Sequence, residues 1–204
     1  MNTRTIIQDV TDGAHQFKYR VKENAKLTIV LTGLKIRKAE MALHINLAAP
    51  GATVIIIGIF VGGKSSDIRL NTTQVHQAPG TTSNLLVKSV LFDEATFTYA
   101  GSIRVEKNAQ KTDAYQRNEN LLIGIGTHAT SNPSLEILAN DVRCTHGSAT
   151  GPINSEELWY LQSRGISLQS ARQLIVEGYV RGAVNLVEDT RIRDQLWQKI
   201  LSAI

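Results

Sequence analysis

The chain has one cysteine, four prolines and few aromatic residues, and it has no apolar run long enough to cross a bilayer. Each shortage removes a class of protein. Cys144 cannot form an internal disulfide, which fits a reducing compartment and makes the cytoplasm the expected location. Aromatic residues make up only 5% of the 204, and the basic residues are scattered, so the stacking platforms and basic stripes of a nucleic-acid binder are missing despite a net charge of +4. The longest uncharged stretch, residues 47–63, is broken by Pro50, Gly51 and Gly58. It falls short of the roughly 20 residues a membrane helix needs. Residues 1–16 carry Arg4, Asp9, Asp12 and His15 among apolar positions, so no signal peptide is legible. Neither nucleic acid nor a membrane is an expected partner.

What is present is 42% hydrophobic content, enough to build a core. From about residue 26 to about residue 142 it is arranged with period two. Met41, Leu43, Ile45 and Leu47 alternate with Ala42, His44 and Asn46, and Leu27, Ile29 and Leu31 alternate with Thr28 and Thr32. Residues 53–61 are apolar on both faces, as in a strand covered on each side. Strand runs recur roughly every ten to eighteen residues with no helical period between them, which excludes βαβ units and leaves a sandwich, a barrel or a solenoid. Few connections resemble two-residue hairpin turns, and this favours coils stacked in parallel. At roughly 20–25 residues per coil and ~4.8 Å between strands, about five coils would stand roughly 20–25 Å tall.

The pattern changes at Asn154, which can cap a helix with Glu157 at its third position before Gly165 ends it. Ser167 can cap a second helix bearing Leu168, Ala171, Ile175 and Tyr179 along one face, with Gly178 near its end. A third helix from about Glu188 places Ile192, Leu196 and Ile200 at i, i+4 spacing. The expected division is an N-terminal segment over residues 1–24, a β-helix over 25–150 and a small helical domain over 151–204.

Three motifs carry possible chemistry. The run Gly58-Ile59-Phe60-Val61-Gly62-Gly63-Lys64-Ser65 satisfies the phosphate-loop pattern, and Asp93 and Glu94 follow an apolar run that resembles a magnesium-holding strand. A working phosphate loop needs a helix starting at its lysine. The residues after Lys64 alternate like a strand instead, with Ile68, Leu70 and Thr72 on one face. A nucleotide hydrolase using Lys64 and Ser65 is thus the alternative reading rather than the leading one. Gly124, Gly126 and Ala129 loosely match a dinucleotide fingerprint, but Asn132-Pro133 follows with no helical period. Cys144 and His146 lie two apart, so a strand would point both from one face. Arg143 and a protonated His146 would favour the thiolate, and a thiolate with an imidazole is a plausible pair for zinc or iron. Two ligands do not complete a metal site, so a homodimeric metal-binding module using Cys144 and His146 from both copies is a further alternative. His15, His44, His76 and His128 show no ligand spacing; Asp113, Glu136 and Asp141 read as solvated or turn residues, and Gln110, Gln116, Asn118 and Asn120 as polar ladders or turns between coils.

Read in order, several blocks resemble the SufB/SufD family of iron–sulfur cluster assembly proteins. They include Gln77-Ala78-Pro79, Lys88-Ser89-Val90-Leu91, Tyr99-Ala100-Gly101-Ser102-Ile103-Arg104-Val105, Asp113-Ala114-Tyr115-Gln116, Asp141-Val142-Arg143-Cys144-Thr145-His146-Gly147 and Glu157-Leu158-Trp159-Tyr160-Leu161. The match is strong over about residues 70–180 and weak over 25–70. The resemblance implies a right-handed parallel β-helix followed by a small C-terminal α-helical domain. It implies a non-catalytic scaffold subunit that binds a separate ABC-type ATPase, usually called SufC, and a SufB-type subunit or an identical one. The Cys-Thr-His-Gly block looks like the D-type version, and the cysteine that B-type chains use for cluster building falls at about Asn118. By the resemblance, His146 faces the partner subunit and contributes to cluster formation, and Cys144 shares that place. No cofactor is expected to stay on the chain alone; an iron–sulfur cluster would be transient in the complex. Members of the family are commonly longer, with an N-terminal helical region and further coils.

Overall fold

The computed structural model describes residues 2–204, which form eleven strands followed by three helices. One sheet contains β1 (Asn2–Val10), β3 (Ala25–Leu34), β5 (Thr53–Gly62), β7 (Thr82–Leu91), β9 (Asp113–Leu122) and β11 (Arg143–Pro152), in that spatial order. The other contains β2 (Gly13–Val21), β4 (Lys38–Leu47), β6 (Asp67–His76), β8 (Thr96–Val105) and β10 (His128–Ile137). Every pairing is parallel, and each strand pairs with the strand two places away in sequence. The chain therefore winds as a β-solenoid with two strands per coil. The winding continues through the corners, where Asp67 donates to Arg37 O at 2.8 Å, Thr96 to Ser66 O at 2.7 Å and Arg143 to Thr112 O at 2.9 Å.

The alternation seen in the sequence becomes a set of columns. Leu27, Ile29 and Leu31 of β3 sit in register with Val54, Ile56 and Gly58 of β5, and these with Ser83, Leu85 and Val87 of β7. Met41, Leu43, Ile45 and Leu47 face them from β4 and are buried. Phe60 and Phe97 close the interior from opposite sheets, with ring centroids 5.3 Å apart.

The coils differ from expectation in length and in starting point. From β3 onward, odd strands begin at residues 25, 53, 82, 113 and 143, a repeat of 28 to 31 residues rather than 20–25. The reason is strand length: nearly every strand is ten residues long. The first coil begins at Asn2, not near Lys26. β2 carries an alternation of its own, with His15, Phe17, Tyr19 and Val21 half-buried or buried between exposed Gln16, Lys18 and Arg20.

The helices are α1 (Ser155–Ser163), α2 (Leu168–Val184) and α3 (Thr190–Leu201). Asn154, Ser167 and Asp189 cap them, each side chain accepting a first-turn N–H. Asn154 accepts from Glu156 rather than from Glu157. Helix α2 continues past Gly178 because Val180, Ala183 and Val184 are buried against the β1–β11 sheet, in a cluster with Val30, Ile57, Ile59, Val90 and Leu121. That second apolar layer explains why residues 53–61 are hydrophobic on both faces.

Toward the later coils the interior becomes polar, and most of its groups are paired, Gln74 Oε1 and Gln116 Nε2 being exceptions. His76 is fully buried between Thr81 Oγ1 at 2.8 Å and Ser83 Oγ at 2.9 Å. Burial lowers its pKa to about 4. In the unfolded chain the imidazole takes a proton near pH 6.5, so stability is complete above that value and falls as pH drops from 6.5 to about 4. Urea unfolding should show a loss of at most about 3 kcal/mol across this interval, and His76→Asn should flatten it. Gly101 provides room for its neighbours: a Cβ there would lie 2.3 Å from Tyr99 Oη and 2.4 Å from Gln116 Nε2. Gly101→Ala should cost about 1–3 kcal/mol, measured by the same unfolding experiment.

Candidate functional site

β11 pairs with β9 alone and β10 with β8 alone, so among the described residues the last coil has no neighbour on its far side. In register, Cys144 sits on Ala114, His146 on Gln116, Ser148 on Asn118 and Thr150 on Asn120. The four supporting residues are buried, whereas Cys144 is half-buried and His146 exposed. The spacing argument thus holds geometrically: thiol and imidazole belong to one face, about 6.6 Å apart along the strand.

The layer beneath is an amide network. Asn120 donates to Thr150 Oγ1 at 2.9 Å and accepts from Ser89 Oγ at 2.7 Å, while Asn118 donates to Val87 O at 3.3 Å. Gln74 donates across the interior to Gln116 Oε1 at 3.3 Å. Of the expected polar ladder, Gln116, Asn118 and Asn120 are inside; Gln110 lies at a corner, where it accepts from Asp141 N at 2.9 Å.

The expected electrostatics of Cys144 need correction. Arg143 points from the opposite face and is engaged by both carboxylate oxygens of Asp113, so it does not promote a thiolate. Burial pushes the Cys144 thiol pKa up, opposed by a hydrogen bond from the Ala114 backbone and assisted by the charge of Asp113. The ion pair with Arg143 in turn holds the Asp113 carboxyl below the usual carboxylate range.

The other motif residues lie elsewhere. Gly58 and Gly62 are inside β5, and β6 begins at Asp67, so a strand follows Lys64 where a phosphate loop requires a helix. The Lys64 backbone N–H donates to Asp93 Oδ2 at 2.7 Å. Gly124 and Gly126 form the corner before β10, again followed by a strand. His15 bonds Thr11 O at 2.8 Å and His128 lies near Thr130, so neither joins Cys144. No group of three or more His, Cys, Asp and Glu able to hold a metal ion occurs among the described residues.

The helical tail is anchored by more than its apolar face. Lys88 of β7 and Glu119 of β9, both largely buried beneath α2, pair at 2.9 Å; Lys88 also donates to Tyr179 O at 2.9 Å and lies 4.2 Å from the centre of its ring. Tyr179 itself has its pKa raised by burial and by Glu119. Sequence reading missed this cluster because Lys88 and Glu119 alternate like outward, solvated residues. Helix α1 behaves in the opposite way. None of its residues is buried, and Trp159 and Tyr160 are 71% and 54% exposed. No helix is long and apolar enough to cross a membrane.

Both features are open surfaces rather than enclosed pockets. The chain belongs to the SufBD family: the model of the SUF-system FeS cluster assembly SufBD core domain matches residues 4–179. It is 30% identical to the iron–sulfur cluster assembly protein SufD of Escherichia coli over 154 residues, which cover 69% of this chain and 36% of that protein. It is 28% identical to an iron–sulfur cluster assembly SufBD family protein of Mycobacterium leprae over 178 residues, 83% of this chain and 45% of that one. The chain thus spans less than half the length of these relatives.

The raised thiol pKa and partial burial have a measurable consequence. Cys144 should react with iodoacetamide at pH 7.5 at least about threefold more slowly than an unstructured cysteine peptide, and denaturant should abolish the difference. A rate equal to that of the peptide in the folded protein would contradict the burial of the thiol.

Proposed function

We propose that this chain is a D-type scaffold subunit of an iron–sulfur cluster assembly complex. The single observation that carries this reading is the position of Cys144 and His146, side by side on a coil that has no strand neighbour on its far side among the described residues. A second solenoid meeting β10 and β11 would bury that coil and bring its own ligands to the thiol and imidazole. The partner is a SufB-type subunit, or an identical chain related by a two-fold axis. An iron–sulfur cluster bridging the two would be held only while the complex is assembled, since this chain contributes at most two ligands.

The helical tail is the second docking surface. Its exposed aromatic pair suits a partner pocket, because buried Trp and Tyr anchors carry a large share of interface energy. In this reading the partner is a SufC-type ABC ATPase that performs the ATP hydrolysis itself. Its energy use requires no nucleotide site at Lys64.

Size exclusion of the full chain with such an ATPase and a B-type subunit should give one co-eluting species. Trp159→Ala should weaken retention of the ATPase by about tenfold or more. His146→Ala should leave assembly intact and reduce the cluster absorbance formed under anaerobic iron and sulfide. Separate elution of all three proteins would reject the scaffold reading, and unchanged cluster yield in His146→Ala would reject the role of that residue.

A further inference from the structure

The corners of the early coils hold a feature that scaffold assembly does not use. Lys35, Lys64 and Asp93 occupy equivalent places in three successive coils, each three residues before the mutually registered Lys38, Asp67 and Thr96. All three have positive φ, at 59°, 54° and 56°, a conformation that side chains other than Asn, Asp and Gly rarely adopt. Turns of this kind present backbone N–H groups to anions. At Lys64 the anion is internal, because Asp93, one coil further on, accepts its N–H at 2.7 Å. At Lys35 the residue one coil further on is Lys64, and among the described residues no acceptor meets the Lys35 N–H.

A cavity of about 470 Å³ lies at this corner. Its ionisable walls are all cationic: Lys35, Arg37 and Lys64. Arg37 is held by Asp12 at 3.0 Å, but neither lysine has an ion-pair partner among the described residues. The apolar walls are Ile36, Val61, Phe92 and, from the end of the helical tail, Ala203. Ser66 adds a buried hydroxyl that has no hydrogen-bond partner. Asp93 and Glu94 line the adjacent concavity on the other side of Lys64, which confines an anion to the Lys35 side.

We propose that this corner binds a small organic phosphate, with the phosphate between Lys35 and Lys64 and an apolar body against Ile36, Val61 and Phe92. Two unpaired ammonium groups call for a dianion, which a single carboxylate does not supply. The apolar walls favour an ester over free phosphate. The site is built from the corners between consecutive strands, so it uses none of the helix that a hydrolytic phosphate loop requires.

Calorimetric titration of the full chain with phenyl phosphate tests the assignment, with inorganic phosphate and phenol as separate titrants. Phenyl phosphate should bind saturably and at least about fivefold more tightly than inorganic phosphate, and phenol should not bind. Lys35→Gln and Lys64→Gln should each weaken phenyl phosphate about tenfold, whereas Lys64→Arg should retain most of the affinity. Both lysine side chains are exposed, so the thermal midpoints of the variants should match the wild type. Absence of saturable phenyl phosphate binding, or affinity unchanged in both glutamine variants, would overturn the site. Equal affinity for phenyl and inorganic phosphate would overturn the organic body of the ligand.

Discussion

Each inward side chain of this solenoid is buried by the equivalent residues of neighbouring coils and by the facing sheet. Burial is therefore a nearest-neighbour property, as in repeat proteins generally. Ile29, Ile56 and Leu85 are fully buried because each has a coil above and below. His146 stands in the same column, four strands from Ile29, and is exposed only because no coil follows. The reactive-looking surface is thus not a pocket cut into the fold. It is the interior of the fold, displayed at its end.

That interior changes character along the stack. The column through Ile29, Ile56 and Leu85 continues as Gln116 and then His146, and the column through Leu43 continues as Thr72 and Gly101. Aliphatic coils need only area, whereas amide coils need partners, because an unpaired buried polar group carries a desolvation cost of about 1–3 kcal/mol. Ser89, Asn118, Asn120 and Thr150 meet that requirement among themselves, but Gln74 Oε1 and Gln116 Nε2 do not. The coils nearest the open end are therefore the ones with the least apolar reserve. A partner seated on β10 and β11 would supply the apolar and polar contacts that the chain itself omits.

Much of this was readable in residue order. The alternation at Met41, Leu43, Ile45 and Leu47, the doubly apolar run at 53–61 and the caps at Asn154 and Ser167 all state local geometry, and local geometry decides strands and helix starts. The strand after Lys64 was legible too, and with it the lack of a phosphate-loop helix. What residue order hides is which faces become covered. Lys88 and Glu119 look solvated in the sequence because their type is polar, yet α2 covers both. Arg143 shows the reverse error: adjacent to Cys144 in sequence, it is directed by strand alternation to the far face and to Asp113. Spacing brought Cys144 and His146 together, but only the stacking order shows that they stand on an uncovered coil.

The two surfaces proposed for docking are linked through the same strand. β11 ends at Pro152 and α1 begins at Ser155, so only Ile153 and Asn154 separate the open coil from the helix bearing Trp159 and Tyr160. Helix α2 then returns over the β1–β11 sheet and is held there by Val176, Val180 and Ala183 and by the Lys88–Glu119 pair, whose acidic member belongs to β9, the neighbour of β11. A buried ion pair contributes little net stability over apolar packing, but it fixes position, since displacing one partner leaves an uncompensated charge. The tail is consequently not a freely tethered appendage. In the proposed assembly, a chain bound to α1 and a chain bound to β11 would be held at a separation set by a two-residue connection and a clamped helix, and that fixed separation is what the proposed scaffold role would rest on.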